Sequence, residues 1–251
     1  MLFPISDDDR GLSGRAWVTL VLVALNVLVF VGLQLQSDAF TYGYSVVPHE
    51  IVTGTDLTES QVLTVTDNVT GERQRVRIPQ APGPVPIYLT LLTAMFMHGG
   101  WAHLLGNLLY LWIFGDNVEH RFGSRVFLGL YLASGLVATA AQIALDPASL
   151  VPNLGASGAI SGVLGAYLVL FPKNRVNAVF FFRVVSVPAV VVLGLWIAFQ
   201  LVNGYGAIAA TEESVGGVAY GAHVGGFVAG ALLALVLRGR GVQERRWSPV
   251  A

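Results

Sequence analysis

Six stretches of this chain, 16–36, 89–115, 126–145, 156–171, 184–202 and 215–237, contain no Asp, Glu, Lys or Arg. Nothing else in the sequence limits the fold as strongly. A helix of about 20 mainly apolar residues crosses the roughly 30 Å of bilayer hydrocarbon, and there every backbone N–H and C=O must be satisfied within the chain. The stretches predict an all-α membrane protein of six transmembrane helices, with both termini on one side. Only 12% of the 251 residues are charged, about half of the roughly 25% found in soluble domains. The first stretch is too long for the apolar core of a signal peptide, and no clear small-residue cleavage site follows it. The chain has no cysteine, which excludes disulfides and thiolate metal sites.

Polar residues outside the helices give the organisation. Residues 1–15 and 238–251 read as short tails around a six-helix domain over 16–237, and 37–88 is one long insertion between helices 1 and 2. Within it, Leu63-Thr64-Val65-Thr66 and Arg75-Val76-Arg77-Ile78 alternate apolar and polar residues, and Asp67-Asn68-Val69-Thr70-Gly71 has turn chemistry. That pattern predicts a β-hairpin. Pro79, Pro82, Pro84 and Pro86 predict an extended lead-in to the second helix. Eleven of the fourteen Lys and Arg residues fall in the tails, the second-to-third loop (Arg121, Arg125) and the fourth-to-fifth loop (Lys173, Arg175, Arg183). The remaining three are Arg73, Arg75 and Arg77 in the insertion. Basic residues concentrate on the cytoplasmic side, so both termini are expected there, with the insertion and the 146–154 loop facing outward.

The strongly polar residues inside the spans are His98, His103, Asn107, Ser157, Ser161 and His223, with Gln142 and Gln200 read as packing or loop-end residues. Ionisable groups at such depth are costly and mark function. Ser157 lies in Gly155-Ala156-Ser157-Gly158-Ala159-Ile160-Ser161-Gly162, and Gly158 and Gly162 share a helix face. His223 shares a face with Gly226 and Gly230. Small residues let membrane helices approach closely, so the two faces are expected to meet and to bring a serine nucleophile to its base. His103 and Asn107, at i and i+4, can supply two donors for an oxyanion. No carboxylate lies in the fourth or sixth span to orient His223, which leaves a dyad whose imidazole is held by packing. Three histidines could suit zinc, but no intramembrane carboxylate and no His-Glu-x-x-His pair accompanies them. No metal site is expected.

These motifs resemble those of the rhomboid intramembrane serine proteases. The matching residues are Gly155-Ala156-Ser157-Gly158, Ala222-His223-x-x-Gly226-x-x-x-Gly230, His98-Gly99-Gly100-Trp101-Ala102-His103-x-x-x-Asn107 and Gly115-Asp116-Asn117-Val118-Glu119-x-Arg121. Tyr44–Glu50, with Val46-Val47-Pro48, also resembles a feature of bacterial members. The resemblance implies a rhomboid-like bundle in which Ser157 is the nucleophile, His223 the general base, and His103 and Asn107 line the oxyanion site. It implies that His98 braces the outer mouth, Gly155 allows a close approach of the outer loop, and Glu119 and Arg121 form a structural pair at the cytoplasmic end of the second helix. It implies a serine endopeptidase of the cell membrane acting on transmembrane protein substrates within the bilayer, with no cofactor and no nucleic-acid partner. A catalytically silent, helix-binding relative is the alternative. Two features depart from the family. Ser161 stands where some members carry Tyr or Phe against the histidine, which predicts slack beside His223. The first outer loop lacks the Trp-Arg feature of enterobacterial members.

Overall fold

The computed structural model describes residues 2–10, 12, 14–66, 73–209 and 218–239. In chain order its elements are β1 (Phe3–Asp7), α1 (Trp17–Gly32), α2 (Asp38–Gly43), α3 (Pro48–Thr53), β2 (Gln61–Thr66), β3 (Arg73–Ile78), α4 (Thr90–Thr93), α5 (Trp101–Phe122) and α6 (Ser124–Leu145). There follow α7 (Ser157–Leu170), β4 (Arg175–Phe180), β5 (Arg183–Pro188), α8 (Ala189–Ala209) and α9 (Tyr220–Arg238). Among the described residues three helices are long and apolar enough to cross a membrane, Trp17–Gln36, Ser124–Leu145 and Tyr220–Arg238, and Ile87–Phe96, Ser157–Leu170 and Ala189–Tyr205 are shorter apolar helices.

The centre of the bundle is α7, in which every residue from Gly158 to Tyr167 is buried. Glycine makes this possible. A Cβ on Gly226 would overlap the carbonyl oxygen of Gly158, and one on Gly230 would overlap that of Gly162. A Cβ on Gly158 would come within 2.7 Å of Ala138 Cβ on α6. The α7 and α9 backbones therefore lie in direct contact, and α6 closes on the same small-residue surface, as membrane helices pack without a hydrophobic driving force.

The second apolar stretch is not one helix. Gly99 and Gly100 interrupt it, and only after Gly100, with φ of 156°, does α5 begin. His98 thus lies in the break. Its backbone would be left unpaired there, and Gln34 supplies the partner: its Oε1 accepts from His98 N at 2.8 Å and its Nε2 donates to His98 O at 3.0 Å. At the other end α5 continues to Phe122, so Arg121 is helical rather than in a loop, and Gly123 alone separates α5 from α6. Glu119, buried in that last turn, accepts from Val18 N at 2.9 Å, Thr19 N at 2.7 Å, Thr19 Oγ1 at 2.9 Å and Ser124 Oγ at 2.6 Å. Val18 and Thr19 are the second and third residues of α1, whose N-cap Ala16 offers no side-chain oxygen. A carboxylate from α5 therefore caps α1, where exposed N–H groups and the helix dipole both favour negative charge.

The N-terminal tail and the fourth-to-fifth loop differ most from the sequence reading. Phe3–Asp7 is a strand, and so is Arg183–Pro188, of which 184–188 is the expected opening of the fifth helix. With β4 between them they form a three-stranded antiparallel sheet in the order β1-β4-β5 across the end of the bundle where α5 and α7 finish. Pro4, Val176 and Ala178 face inward and are buried. Asp7 Oδ2 accepts from Asn117 Nδ2 at 2.8 Å and from the Tyr167 hydroxyl, joining β1 to α5 and α7. Burial pushes the Asp7 carboxyl up to about 7.

The insertion contains the expected hairpin, β2 paired antiparallel with β3 from Gln61↔Ile78 to Thr66↔Arg73. Its turn at 67–71 lies outside the described residues, as do 210–217, which include the expected start of the sixth span, and the tail beyond Gly239.

Candidate active site

Ser157 is the first residue of α7 and His223 lies in the first turn of α9. The glycine contacts bring these two helix ends together, and His223 Nε2 lies 2.8 Å from Ser157 Oγ. The other ring nitrogen is also occupied: His223 Nδ1 lies 2.8 Å from Gln200 Oε1 on α8. An amide oxygen only accepts, so the proton sits on Nδ1 and the Nε2 lone pair faces the serine hydroxyl. Gln200 is 5% exposed. It is therefore no loop-end residue, and His223 is not held by packing alone. The Trp196 ring on α8 adds an aromatic neighbour, 5.9 Å from the imidazole centroid and inclined by 37°. Gln142, the other unassigned glutamine, accepts from Ala222 N at 3.2 Å, one residue before the histidine.

This also bears on Ser161. Its Oγ donates to Ser157 O at 2.6 Å and the residue is 1% exposed. The aromatic contact to His223 comes from α8, and no gap is left at Ser161 for a second ring. Ser161→Phe is expected to overpack the α7 interface and lower stability by about 1–3 kcal/mol, read as a fall in the thermal unfolding midpoint in detergent.

On the other side of Ser157 stands α5, with His103 and Asn107 one turn apart. Gly99 N donates to His103 Nδ1 at 3.3 Å. In the neutral ring the proton then lies on Nε2, which is free to donate. Asn107 is 8% exposed and its Nδ2 is buried with no hydrogen-bond partner among the described residues. A buried donor without a partner is costly and suits a group that arrives only during a reaction. The His98 ring meets His103 edge-on with centroids 5.2 Å apart.

Gly155 defines the space between these groups. It has φ of 142°, which L side chains rarely adopt. A Cβ there would lie 2.9 Å from His103 Cε1, 3.0 Å from His103 Nε2 and 3.4 Å from Ser157 Oγ. The missing side chain thus leaves a gap bordered by the serine oxygen and an N–H donor. A cavity of about 40 Å³ opens beside it, walled by Gly135, Ala138, Thr139, Gln142 and Gly158.

The long insertion holds the loop that delivers Gly155. Val46 and Asn153 form a two-way backbone bridge, at 2.9 and 2.7 Å. His49 N donates to Ser149 O at 3.1 Å, and Gln80 Nε2 to Leu150 O at 2.7 Å. Gly155 N itself donates to Ala94 O at 2.9 Å, in the turn after α4. Sequence reasoning left the insertion without a role; the sole hint was the apolar run Val46-Val47, now buried at 1% and 0% exposure.

Comparison with known proteins gives the same family as the motifs. The Rhomboid domain family model matches residues 87–240. The chain is 30% identical over 224 residues, 89% of its length, to Rhomboid protease GluP of Bacillus subtilis. It is 32% identical over 148 residues, 57% of its length, to Rhomboid protein 1, mitochondrial, of Saccharomyces cerevisiae. It is 32% identical over 92 residues, 36% of its length, to Presenilin-associated rhomboid-like protein, mitochondrial, of Bos taurus. The matches cover 36%, 40% and 24% of those relatives, so the chain spans less than half of each. With a family model over most of the chain and apolar helices packed on glycine faces, this multi-pass membrane protein belongs to the rhomboid family.

Proposed function

We propose that the chain is an intramembrane serine endopeptidase that crosses the bilayer six times, through α1, α5, α6, α7, α8 and α9. The observation that carries this is the 2.8 Å contact of Ser157 Oγ with His223 Nε2, in a ring whose Nδ1 is already engaged by Gln200. In that tautomer the imidazole accepts the serine proton as Oγ attacks a peptide carbonyl. The oxyanion forms in the gap at Gly155 and is met by His103 Nε2–H, Asn107 Nδ2–H and the Ser157 backbone N–H. His223 then protonates the leaving amine as the C–N bond breaks; in the second half it takes a proton from a water that attacks the acyl carbon and returns that proton to Ser157 Oγ as the ester bond breaks, freeing the new carboxyl end. No cofactor takes part.

The substrate class is the transmembrane segment of another membrane protein, cut near the outer face. Ser157 opens its helix instead of lying midway along it, so a scissile bond has to reach only that end of the bundle. The cavity beside the gap admits little beyond a small side chain. The protease domain is taken as 16–237, with the 37–88 insertion facing outward and bracing the active-site loop. Both tails are placed in the cytoplasm of a cell-membrane protein on the distribution of basic residues. His98, Gly155, Gly158, Gly226 and Gly230 support the site, while Glu119, with Arg121 in the same turn, secures the opposite end.

A fluorophosphonate probe tests the reading directly. The full chain in detergent should be labelled, and Ser157→Ala should not. Absence of labelling in both would make this a silent, helix-binding member of the family.

Two further outcomes follow from the donors. Removing an oxyanion donor costs soluble proteases about 10²–10³ in kcat. Asn107→Ala should lose a similar factor in turnover of a transmembrane substrate, with KM nearly unchanged. Gln200→Leu leaves Nδ1–H without its acceptor and the ring free to turn. Partners that orient a metal-bound histidine through its second nitrogen are worth about 10–100-fold, and a fall in kcat of similar size is expected here. Gln200→Glu, which keeps an acceptor, should retain more activity than Gln200→Leu.

A further inference from the structure

At the end of the bundle away from Ser157, the β4–β5 hairpin carries a feature that the proposed protease activity does not use. Phe180 and Arg183 pair, leaving Phe181 and Phe182 as a two-residue turn. Phe180, Phe181 and Phe182 are 45%, 78% and 100% exposed. Phe181 has φ of 52°, in the left-handed region that bulky residues avoid and where two-residue hairpin turns favour Gly, Asn or Asp. Local turn chemistry therefore opposes this sequence; Phe181 meets Phe180 edge-on with ring centroids 4.7 Å apart, but the Phe182 ring remains wholly exposed and gains nothing within the hairpin.

The surrounding sheet shows the direction of that contact. Its inner face, Pro4, Val176 and Ala178, is buried against the bundle end, so the sheet lies across that end and not upright on it. The register runs outward from Asp7↔Val176, over α5 and α7, to Phe3↔Val179 and the tip. Along the outer face the row nearer the bundle centre is polar, with Ser6, Asn177 and Ser186. The row nearer the tip is apolar, with Phe3, Val179 and Val184. Phe3 and Val184 are 51% and 63% exposed. Arg183 adjoins the turn, and Lys173 and Arg175 stand at the hairpin base, all three exposed. The base is fixed to two helix ends, with Ala189 N donating to Asn174 O at 2.8 Å and Val190 N to Pro172 O at 3.1 Å. An aromatic tip flanked by cations and tied to the ends of membrane helices matches the chemistry of the lipid interface, where aromatic rings enter the headgroup–acyl boundary and basic residues meet anionic headgroups.

We propose that the Phe180–Phe182 tip is a membrane-interface anchor, inserted beside the bundle into the leaflet that faces the three-stranded sheet, with Arg183 on the headgroups. The occupant of this apolar surface is lipid.

The chain has no cysteine, so Phe182→Cys, in the full chain, gives a single attachment point for an environment-sensitive fluorophore. Ser186→Cys, in the polar row of the same hairpin, is the reference. Both are reconstituted in phosphatidylcholine vesicles with and without phosphatidylglycerol, with the aqueous quencher iodide present on both faces. The expected result is blue-shifted emission from position 182, strong quenching by lipids spin-labelled high on the acyl chain, and weak quenching by iodide, with the reverse at 186. Adding phosphatidylglycerol should increase the lipid quenching at 182, and Arg183→Glu should remove that increase. Equal iodide quenching at both positions would overturn the proposal. So would a tip shielded from both quenchers whose labels self-quench in proportion to protein density, because a second copy of the chain would then cover it.

Discussion

Ser157→Ala, reconstituted with a model transmembrane substrate, should cleave it roughly a millionfold more slowly than the unaltered chain, and His223→Ala should do the same. The size of the effect follows from the absence of substitutes. Ser161 Oγ, the nearest other hydroxyl in α7, is committed to Ser157 O and buried. His103, the nearest other imidazole, uses Nδ1 to accept from Gly99 and belongs to the oxyanion side. Nucleophile and base act as a unit, so the double variant should be no slower than either single one. An additive loss would mean that the residues act independently and would end the dyad reading. Neither substitution disturbs the glycine contacts that join α7 and α9, so both variants should fold, as the thermal unfolding midpoint would report.

Gly155→Ala should reduce kcat by about four orders of magnitude. One part is the donor: a methyl group 3.0 Å from His103 Nε2 occupies the space of the oxyanion, and losing such a donor costs about 10²–10³. The other is geometry. The φ of 142° is strained for alanine, and a shift of about 1 Å in reacting groups can cost roughly 10²-fold. Because Gly155 is only partly buried and precedes the helix, stability should change far less than rate. Comparing kcat with the unfolding midpoint checks this. A variant that keeps its turnover would show that the gap at Gly155 is not where the oxyanion forms.

How much of this was legible depends on how far each signal reaches along the chain. Glycines four apart within one helix point at a partner surface regardless of where that partner lies, so the α7–α9 contact and the meeting of Ser157 with His223 could be anticipated. Alternation over 63–66 and 75–78 is local, and the β2–β3 hairpin followed from it. Gln200 left no such mark. A lone glutamine in an apolar helix says nothing of a histidine 23 residues away, and its role exists only once α8 lies beside α9. The break before α5 was written in Gly99-Gly100, but the apolar residues on either side read as one long span. The strand Phe3–Asp7 was masked by its proline and its acidic end, and its partner is in a loop that hydropathy assigned partly to a helix. The bracing of 146–155 by the insertion depends on one backbone bridge, one further backbone hydrogen bond and the Gln80 side chain, which leave no sequence pattern.

The sheet that closes the far end of the bundle also sets an order of events. β1 is made first among the elements, yet its hydrogen-bond partner β4 follows about 170 residues later. At ribosomal speeds of about 5–20 residues per second, the N-terminal strand waits roughly ten to thirty seconds with its backbone unpaired. For the first part of that time α1 also lacks its cap, because Glu119 lies 100 residues beyond Thr19. Docking of β1, with Asp7 meeting Asn117 and Tyr167, therefore belongs among the late steps of assembly. It can occur only on a chain in which α5 and α7 already stand side by side, so β1 acts as a latch that reports the pairing of those two helices.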